Sequence, residues 1–355
     1  MFYPVSVFLS SLFVKASVVS EDGAAAPRRI VVLGMGGTIA GKAARANDNV
    51  GYKAGEVSVD DLLAGLPLPA RHLVEAEQVC QIDSKDLAPG HWQALLKSLE
   101  AHLARPEVVG VVITHGTDTL EETAYLLHRV LAPAKPVVLT AAMRPATALS
   151  ADGPRNLAEA LEVAAAAGEA GQSGTVVALA GRVWAAAELR KVHSHHTDAF
   201  DAGDAGPLAL VEAGRLRVLR PWPAGDGLGA RRVINTPVAL WPQVDIVTSH
   251  AGANGRLVKL LMTAGVDGLV VAGSGNGSVH GELEAALLKA DRAGVRVLRS
   301  SRCVAGGVID APTHDTDGAS PAPRRLPSAG QLTPVQARIE LVLELLARPS
   351  GGPGR

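Results

Sequence analysis

The chain has 355 residues, 47% of them apolar and 38 of them glycine, which is enough to bury a large core and favours two domains over one. That composition excludes global disorder. A formal net charge of -1 without a concentrated basic field excludes a nucleic-acid surface and leaves a small-molecule site as the default.

Residues 1–14, MFYPVSVFLSSLFV, hold three of the four Phe and one of the three Tyr, so they differ from everything after them. No basic residue precedes the apolar stretch and Lys15 follows it, the reverse of the order in a secretory signal. The stretch is also too short to span a membrane. Residues 1–28 are therefore expected to be an apolar or disordered extension outside the core. Cys80 and Cys303, the only cysteines, give no disulfide framework and favour a reducing, cytoplasmic compartment. A periplasmic location is the alternative if residues 1–28 act as an export signal.

The body of the chain repeats one pattern, a β-branched run that ends in a small, polar turn. IVVLGMGGTIAGK (30–42) carries Gly34, Gly36 and Gly37 and then Thr38. RANDNVGYKAGEV (45–57) reads as a mobile loop holding Tyr52, and a helical pattern follows from Val59 to Leu66. Val79–Ile82 runs into Asp83, Ser84, Lys85 and Asp86, and His91–Leu103 has helical spacing. VVITHGTDTLEETAY (111–125) is the densest case. Thr117, Asp118 and Thr119 follow Gly116, whose missing side chain lets backbone N–H groups approach a ligand, and Glu121 and Glu122 suit the first turn of a helix. Loops at the carboxyl ends of strands in an open α/β sheet line one crevice, so Thr38, Ser84 and Thr117 are expected to meet there.

Pro136–Thr140 is a further strand, leading through AAMRPATALSADGPRNL to a helix with Pro154 near its first turn. Asp152 and Asn156 read as cap and loop-bracing groups. Thr175–Ala180 is another strand, after which Arg190 and Lys191 open a polar stretch. PWPAGDGLGARR (221–232) concentrates Pro and Gly as a linker does. Beyond it, short strands at Val244–Thr248, Gly268–Ala272 and Val295–Leu298 alternate with helices at Gly255–Ala264 and Glu282–Ala293, and Gln336–Ala347 is amphipathic. The expected fold is α/β in two domains: a larger N-terminal one with a mainly parallel sheet (29–222), a linker (223–241) and a smaller parallel α/β domain (242–350).

Two motifs invite cofactors that their spacing does not support. HSHHTD contains His193, His195, His196 and Asp198, but its spacing is unlike a closed zinc site and a third ligand is unidentified. GMGG mimics a dinucleotide fingerprint, yet Ile39 stands where the third glycine belongs. No metal and no cofactor is expected. GSGNGS (273–278) is either an anion-binding nest or a simple tight turn.

Together GGTIAG and THGTDT, with AMRP, SADGPRNL, SGNGS and LRSSR in the same order, resemble the bacterial-type L-asparaginase family, amidohydrolases with a threonine nucleophile. The resemblance runs from about residue 29 onward and implies an acyl-enzyme route from L-asparagine to L-aspartate and ammonia. By position it implies Thr38 as the attacking hydroxyl with Tyr52 as its proton acceptor, and Thr117, Asp118 and Lys191 as the second catalytic group. Which threonine attacks first is left open. Gly37, Asp83, Ser84, Lys85, Gly116, Thr117, Asp118, Ala142 and Ser278 are implied at the substrate, Ser84 at its α-carboxylate, Asp118 at its ammonium and Ala142, with Met143, by backbone at its amide. The family's Asn and Glu from a neighbouring subunit have no secure counterpart, because Ser278 stands where the Asn belongs and no Glu lies between Glu284 and Glu340. The implied assembly is a homo-oligomer, a tetramer built from dimers, with no nucleic-acid or membrane partner. A glutaminase-asparaginase, another amidase of the same fold and a non-catalytic amino-acid sensor are the alternatives.

Overall fold

A computed structural model describes residues 27–45, 48, 51–310 and 325–348, so all but the last two residues of the expected N-terminal extension lie outside the described residues. The larger part is an eight-stranded sheet whose centre is parallel. In spatial order its strands are Arg215–Val218, Ala209–Glu212, Arg182–Ala185, Gly174–Leu179, Pro136–Thr140, Val108–Thr114, Arg29–Gly36 and Leu73–Ile82. The last five run parallel, and the first three extend one edge in antiparallel fashion.

The central strands are β-branched almost throughout because both of their faces are covered. Val31, Leu33, Val111, Ile113, Val137 and Leu139 face the helices Pro89–Leu103 and Leu120–Val130. Their neighbours Ile30, Val32, Val112 and Val138 face the opposite helix, Gly153–Glu169, through Leu157, Ala160, Leu161 and Ala164. This two-residue alternation divides one sheet between two cores. Each fully buried aliphatic side chain contributes about 1.5–3 kcal/mol, so the register is strongly determined.

The three edge strands escape a reading of the sequence because each has only four residues and each carries charge, RVWA, ALVE and RLRV. Two-residue turns make them. Ala180 and Gly181 have φ of 50° and 76°, and Ala213 and Gly214 have 50° and 71°, the left-handed pairs that match the twist of a tight hairpin.

The smaller part is a parallel three-stranded sheet in the order Val244–Thr248, Gly268–Gly273, Arg296–Ser301. The helices Arg256–Thr263 and Gly281–Arg292 pack on one face through Val258, Leu283 and Leu287. The fold is thus the two-domain α/β architecture expected. Segment 223–241 joins the two sheets along the chain and is not loose. It contains the helix Ala230–Asn235, and Gln93 Nε2 donates to the Val233 and Thr236 carbonyls at 2.9 and 2.7 Å.

The C-terminal helix Pro334–Ala347 belongs to both parts. It covers the small sheet, and it also packs on the helix Leu120–Val130, where Tyr125 Oη and Arg129 Nε donate to Glu340 at 2.9 and 2.7 Å. Its first turn is closed by a reciprocal cap between Thr333 and Gln336. The Gln336 amide, 1% exposed, then reaches across to donate to the Leu189 carbonyl at 3.0 Å and the Ala187 carbonyl at 3.4 Å. Gln336→Ala removes this donor and half of the cap while leaving buried carbonyls unpaired, so it is expected to cost about 1–3 kcal/mol. The shift of a urea midpoint at neutral pH measures it, and a change within error would show that the tie contributes nothing.

Candidate active site

The polar turns at the carboxyl ends of the parallel strands converge. Thr38 follows the strand Arg29–Gly36, Ser84 follows Leu73–Ile82, Thr117 follows Val108–Thr114 and Ala142 follows Pro136–Thr140. Thr38, Ser84 and Thr117 are all buried, at 7%, 3% and 5% exposure. The approach of the first and third loops is too close for side chains. A Cβ on Gly37 would sit 2.3 Å from the Gly116 Cα, and one on Gly116 would sit 2.4 Å from Ser84 Oγ. Gly37 also has φ of 81°, a conformation glycine adopts without strain.

Each threonine hydroxyl has its own proton partner. A short hairpin, Lys42–Ala43 against Tyr52–Lys53, turns the chain back so that Tyr52 Oη lies 2.6 Å from Thr38 Oγ1. Burial pushes the phenol upward; the Thr38 bond opposes this, and the nearby Asp83 and Asp118 carboxylates add to it, so resting Tyr52 carries its proton. On the other loop, Lys191 Nζ donates to Thr117 Oγ1 at 2.9 Å and to Asp118 Oδ1 at 2.7 Å. Lys191 arrives on a two-stranded ribbon, Arg190–Lys191 against Phe200–Asp201.

Ser84 ties its loop to the Thr117 loop. Its Oγ accepts from the Asp118 backbone N–H at 3.2 Å, and its carbonyl accepts from Thr119 Oγ1 at 2.8 Å. Beside it, Asp83 accepts from the Lys85 N–H, and the exposed Lys85 ammonium pairs with Asp86 and more loosely with Asp83. Asp83 and Lys85 thus engage each other at the rim. Ala142 is buried in the turn before Met143, whose N–H, with that of Arg144, donates to Asp152 at 2.9 Å. Asp152 therefore braces the loop and makes no side-chain cap, while Asn156 binds the Ala141 carbonyl and the Ala180 N–H.

Ser278 stands apart. It is exposed, and its backbone exchanges both hydrogen bonds with Ser274, closing the tight turn. Asn276 in that turn is held from both sides by the Ile309 backbone, and carbonyls of the turn accept from Ser301 Oγ and the Arg299 guanidinium. Those contacts make a turn braced through its oxygens. No described hydrogen bond joins it to the threonine cluster. In the histidine run, His193 Nδ1 accepts from the His195 and His196 backbones and its ring stacks on His196 at 3.5 Å. Among the described residues no group of three or more His, Cys, Asp or Glu is arranged to hold a metal ion. A surface recess of about 460 Å³ between Arg28, Glu107, Lys135 and Gln172 sits at the amino ends of the same strands, away from this chemistry.

Four residues at the site were not singled out by sequence reasoning. His115 is 1% exposed. Its Nδ1 faces the Gly116 carbonyl at 2.8 Å, which only accepts, so Nδ1 carries the hydrogen; in the neutral ring Nε2 then accepts from Thr123 Oγ1 at 3.0 Å, which in turn accepts from Trp92 Nε1 at 2.9 Å. This chain anchors the Gly116–Thr117 turn in the core. In the segment that ends in Lys191, Arg190 donates to the Cys303 and Val304 carbonyls and the Leu189 carbonyl accepts from Gln336, while the charge of Arg190 opposes the upward push of burial on the Glu121 carboxyl. The signal for His115 was its place between a fully buried strand and a glycine; the other three carry none, since charged and polar residues at helix starts and strand ends are ordinary.

Buried hydroxyls paired with a phenol and a lysine, on facing loops of a two-domain α/β fold, are the equipment of a hydrolase that uses an activated hydroxyl. Residues 29–224 match the family profile described as asparaginase, N-terminal, and residues 243–350 match that described as glutaminase/asparaginase C-terminal domain. The chain belongs to the asparaginase family and is an amidohydrolase. It is 35% identical to a glutaminase-asparaginase of Pseudomonas fluorescens biotype A, over 87% of this chain and 85% of that one. It is 36% identical to a probable periplasmic L-asparaginase of Haemophilus influenzae, over 92% and 91%. The crystal structure of a probable cytoplasmic L-asparaginase from Campylobacter jejuni superposes with a TM-score of 0.80 at 36% identity, covering 90% of this chain and 96% of that one.

Burial pushes the His115 imidazole down to about 4, with its bond to the Gly116 carbonyl opposing. An unfolded histidine takes up its proton near pH 6.5 or so, and the folded one resists until about 4, so acid in that interval favours the unfolded chain. The contribution of His115 to stability is therefore expected to be complete above that interval and to be lost as pH falls through it. Urea midpoints across the interval should slope downward in the parent and more gently in His115→Asn; identical slopes would assign the acid sensitivity to other groups.

Proposed function

We propose that this enzyme hydrolyses L-asparagine to L-aspartate and ammonia through an acyl-enzyme on threonine. The observation that carries the reading is the pair of buried hydroxyls, each on its own proton partner: Thr38 on Tyr52, and Thr117 on Lys191 and Asp118. Thr38 attacks the side-chain amide carbon. Because resting Tyr52 is protonated, it accepts the Thr38 proton while passing its own toward the departing nitrogen, which leaves as ammonia. Thr117, oriented by Lys191, then directs the water that opens the ester. Ser84 holds the α-carboxylate and Asp118 the ammonium, with Gly37, Gly116, Asp83, Lys85 and the Ala142 backbone around them. No step needs a cofactor.

L-glutamine is the competing substrate, supported by the name of the Pseudomonas relative. Location in the cytoplasm is supported by two cysteines that are both free and by the cytoplasmic neighbour; the name of the Haemophilus relative supports the periplasmic alternative. A homotetramer is supported by family membership and by a site to which the chain's own second domain offers no described hydrogen bond from Ser278.

Ammonia release from L-asparagine and L-glutamine tests the reading directly. Thr38→Ala and Thr117→Ala are each expected to lower asparagine turnover by about 10³-fold or more with the circular dichroism unchanged, and the double variant to be little worse than the worse single one. A near-normal rate in either would remove that threonine from the chemistry. Sedimentation of the active enzyme should show an oligomer of four chains; a fully active monomer would remove the assembly from the proposal.

A further inference from the structure

Thr119 opens the helix Leu120–Val130, yet its hydroxyl does not cap that helix. A threonine at this position ordinarily accepts from an N–H of the first turn. Here Thr119 Oγ1 instead donates to the Ser84 carbonyl at 2.8 Å, on the loop that follows the strand Leu73–Ile82. That carbonyl already accepts from the Leu87 N–H at 3.1 Å, so the Thr119 bond is not needed to satisfy it. One residue earlier, the Asp118 N–H donates to Ser84 Oγ at 3.2 Å. Two consecutive residues therefore hold the same serine, Asp118 by its side chain and Thr119 by its backbone. Among the described residues no acceptor takes the Ser84 hydroxyl hydrogen, which leaves it to donate to a ligand oxygen.

We infer that Thr119 is a positioning residue for the substrate: its bond to the Ser84 carbonyl sets the spacing between Ser84, which receives the α-carboxylate, and Asp118, which receives the α-ammonium. Those two substrate groups hang from a single carbon, so their receivers must be held at one separation. Ser84 and Asp118 lie 34 residues apart on different loops, and no local geometry relates them. Asp118 is fixed on its far side by Lys191 Nζ at 2.7 Å. The Asp118 N–H bond, at the long end of the range for such bonds, leaves the serine free to turn about it. The shorter Thr119 bond, made to the serine's backbone, removes that freedom. The helix start gives up its side-chain cap for this tie.

This inference rests on the role proposed for Ser84, and the experiment separates the two. Asparagine kinetics are measured for Thr119→Ser, Thr119→Val, Ser84→Ala and the Thr119→Val/Ser84→Ala double variant. Thr119→Val keeps the shape and removes the donor, so it should raise KM about tenfold with kcat within about threefold of the parent, the signature of lost binding shared by ground state and transition state. Thr119→Ser, which keeps the hydroxyl, should hold KM within about twofold. In the Ser84→Ala background, Thr119→Val should lower kcat/KM by less than about twofold more, because the group it positions is already gone. A Thr119→Val enzyme with the parent KM, or with the same loss in both backgrounds, would overturn the inference, as would a folded Thr119→Ser enzyme as impaired as Thr119→Val. Should Thr119→Val lack native circular dichroism, Thr119→Ala is read by the same criteria. If Ser84→Ala retains the parent KM, the reading of Ser84 itself fails; if Ser84→Ala raises KM and Thr119→Val does not, only the tie through Thr119 fails.

Discussion

The contact on which this molecule depends is the meeting of two backbones, Gly37 against Gly116. Any Cβ at either position would overlap the facing loop or Ser84 by more than 1 Å of ordinary contact, so the two threonines that follow are brought together only because both loops lack side chains there. Everything else at the site adjusts to that approach. The loop after Leu73–Ile82 closes the third side by giving Ser84 to the Asp118 N–H, and the paired strands Lys42–Ala43 and Tyr52–Lys53 bring Tyr52 to Thr38. The rigid parallel sheet beneath holds the strand ends in register, which lets short turns carry the hydroxyls with little room to move.

The second constraint concerns Lys191. Unlike the threonines it is not delivered by a central strand, and a two-stranded ribbon is by itself marginal. The structure compensates by gripping the segment Ala187–Lys191 from two sides: Gln336 on the shared C-terminal helix, and the Arg190 link to Cys303 and Val304. The smaller domain therefore bears on the lysine through the segment leading into it. Because the helix Pro334–Ala347 also packs against Leu120–Val130, one element supports both the lysine strand and the helix that follows Thr117.

How much of this could be read from the sequence follows from which interactions are local. Strands buried on both faces announce themselves as β-branched runs, so Pro136–Thr140 and Val244–Thr248 lie where periodicity places them, and the two-domain α/β class and the family were both legible. Thr38, Ser84 and Thr117 were legible as a converging set because carboxyl-end loops of neighbouring parallel strands share a crevice. The edge strands were not, since four residues with charges do not outweigh a loop pattern. His115 and Gln336 were missed for other reasons. Gln336 matters through a partner at long range, the Leu189 carbonyl, and no spacing rule encodes a contact of that kind. His115 instead bonds within its own turn and the helix after it, to Gly116 and Thr123, and its one signal was its place between a buried strand and a glycine.

In the proposed mechanism the state of Tyr52 decides between two ways of activating Thr38. A phenolate would take the proton outright, but burial and the carboxylates of Asp83 and Asp118 disfavour negative charge on that oxygen. The same carboxylates favour positive charge in the site, where the α-ammonium of an amino-acid substrate would lie. Binding such an ammonium offsets the share of the upward push that the carboxylates add to burial, so in the proposed mechanism the substrate itself eases the transfer that starts its hydrolysis. An amide without the ammonium would leave the two carboxylates uncompensated beside the phenol. Discrimination against it would then appear in the acylation step as well as in binding, because the missing charge acts on the proton relay and not only on affinity.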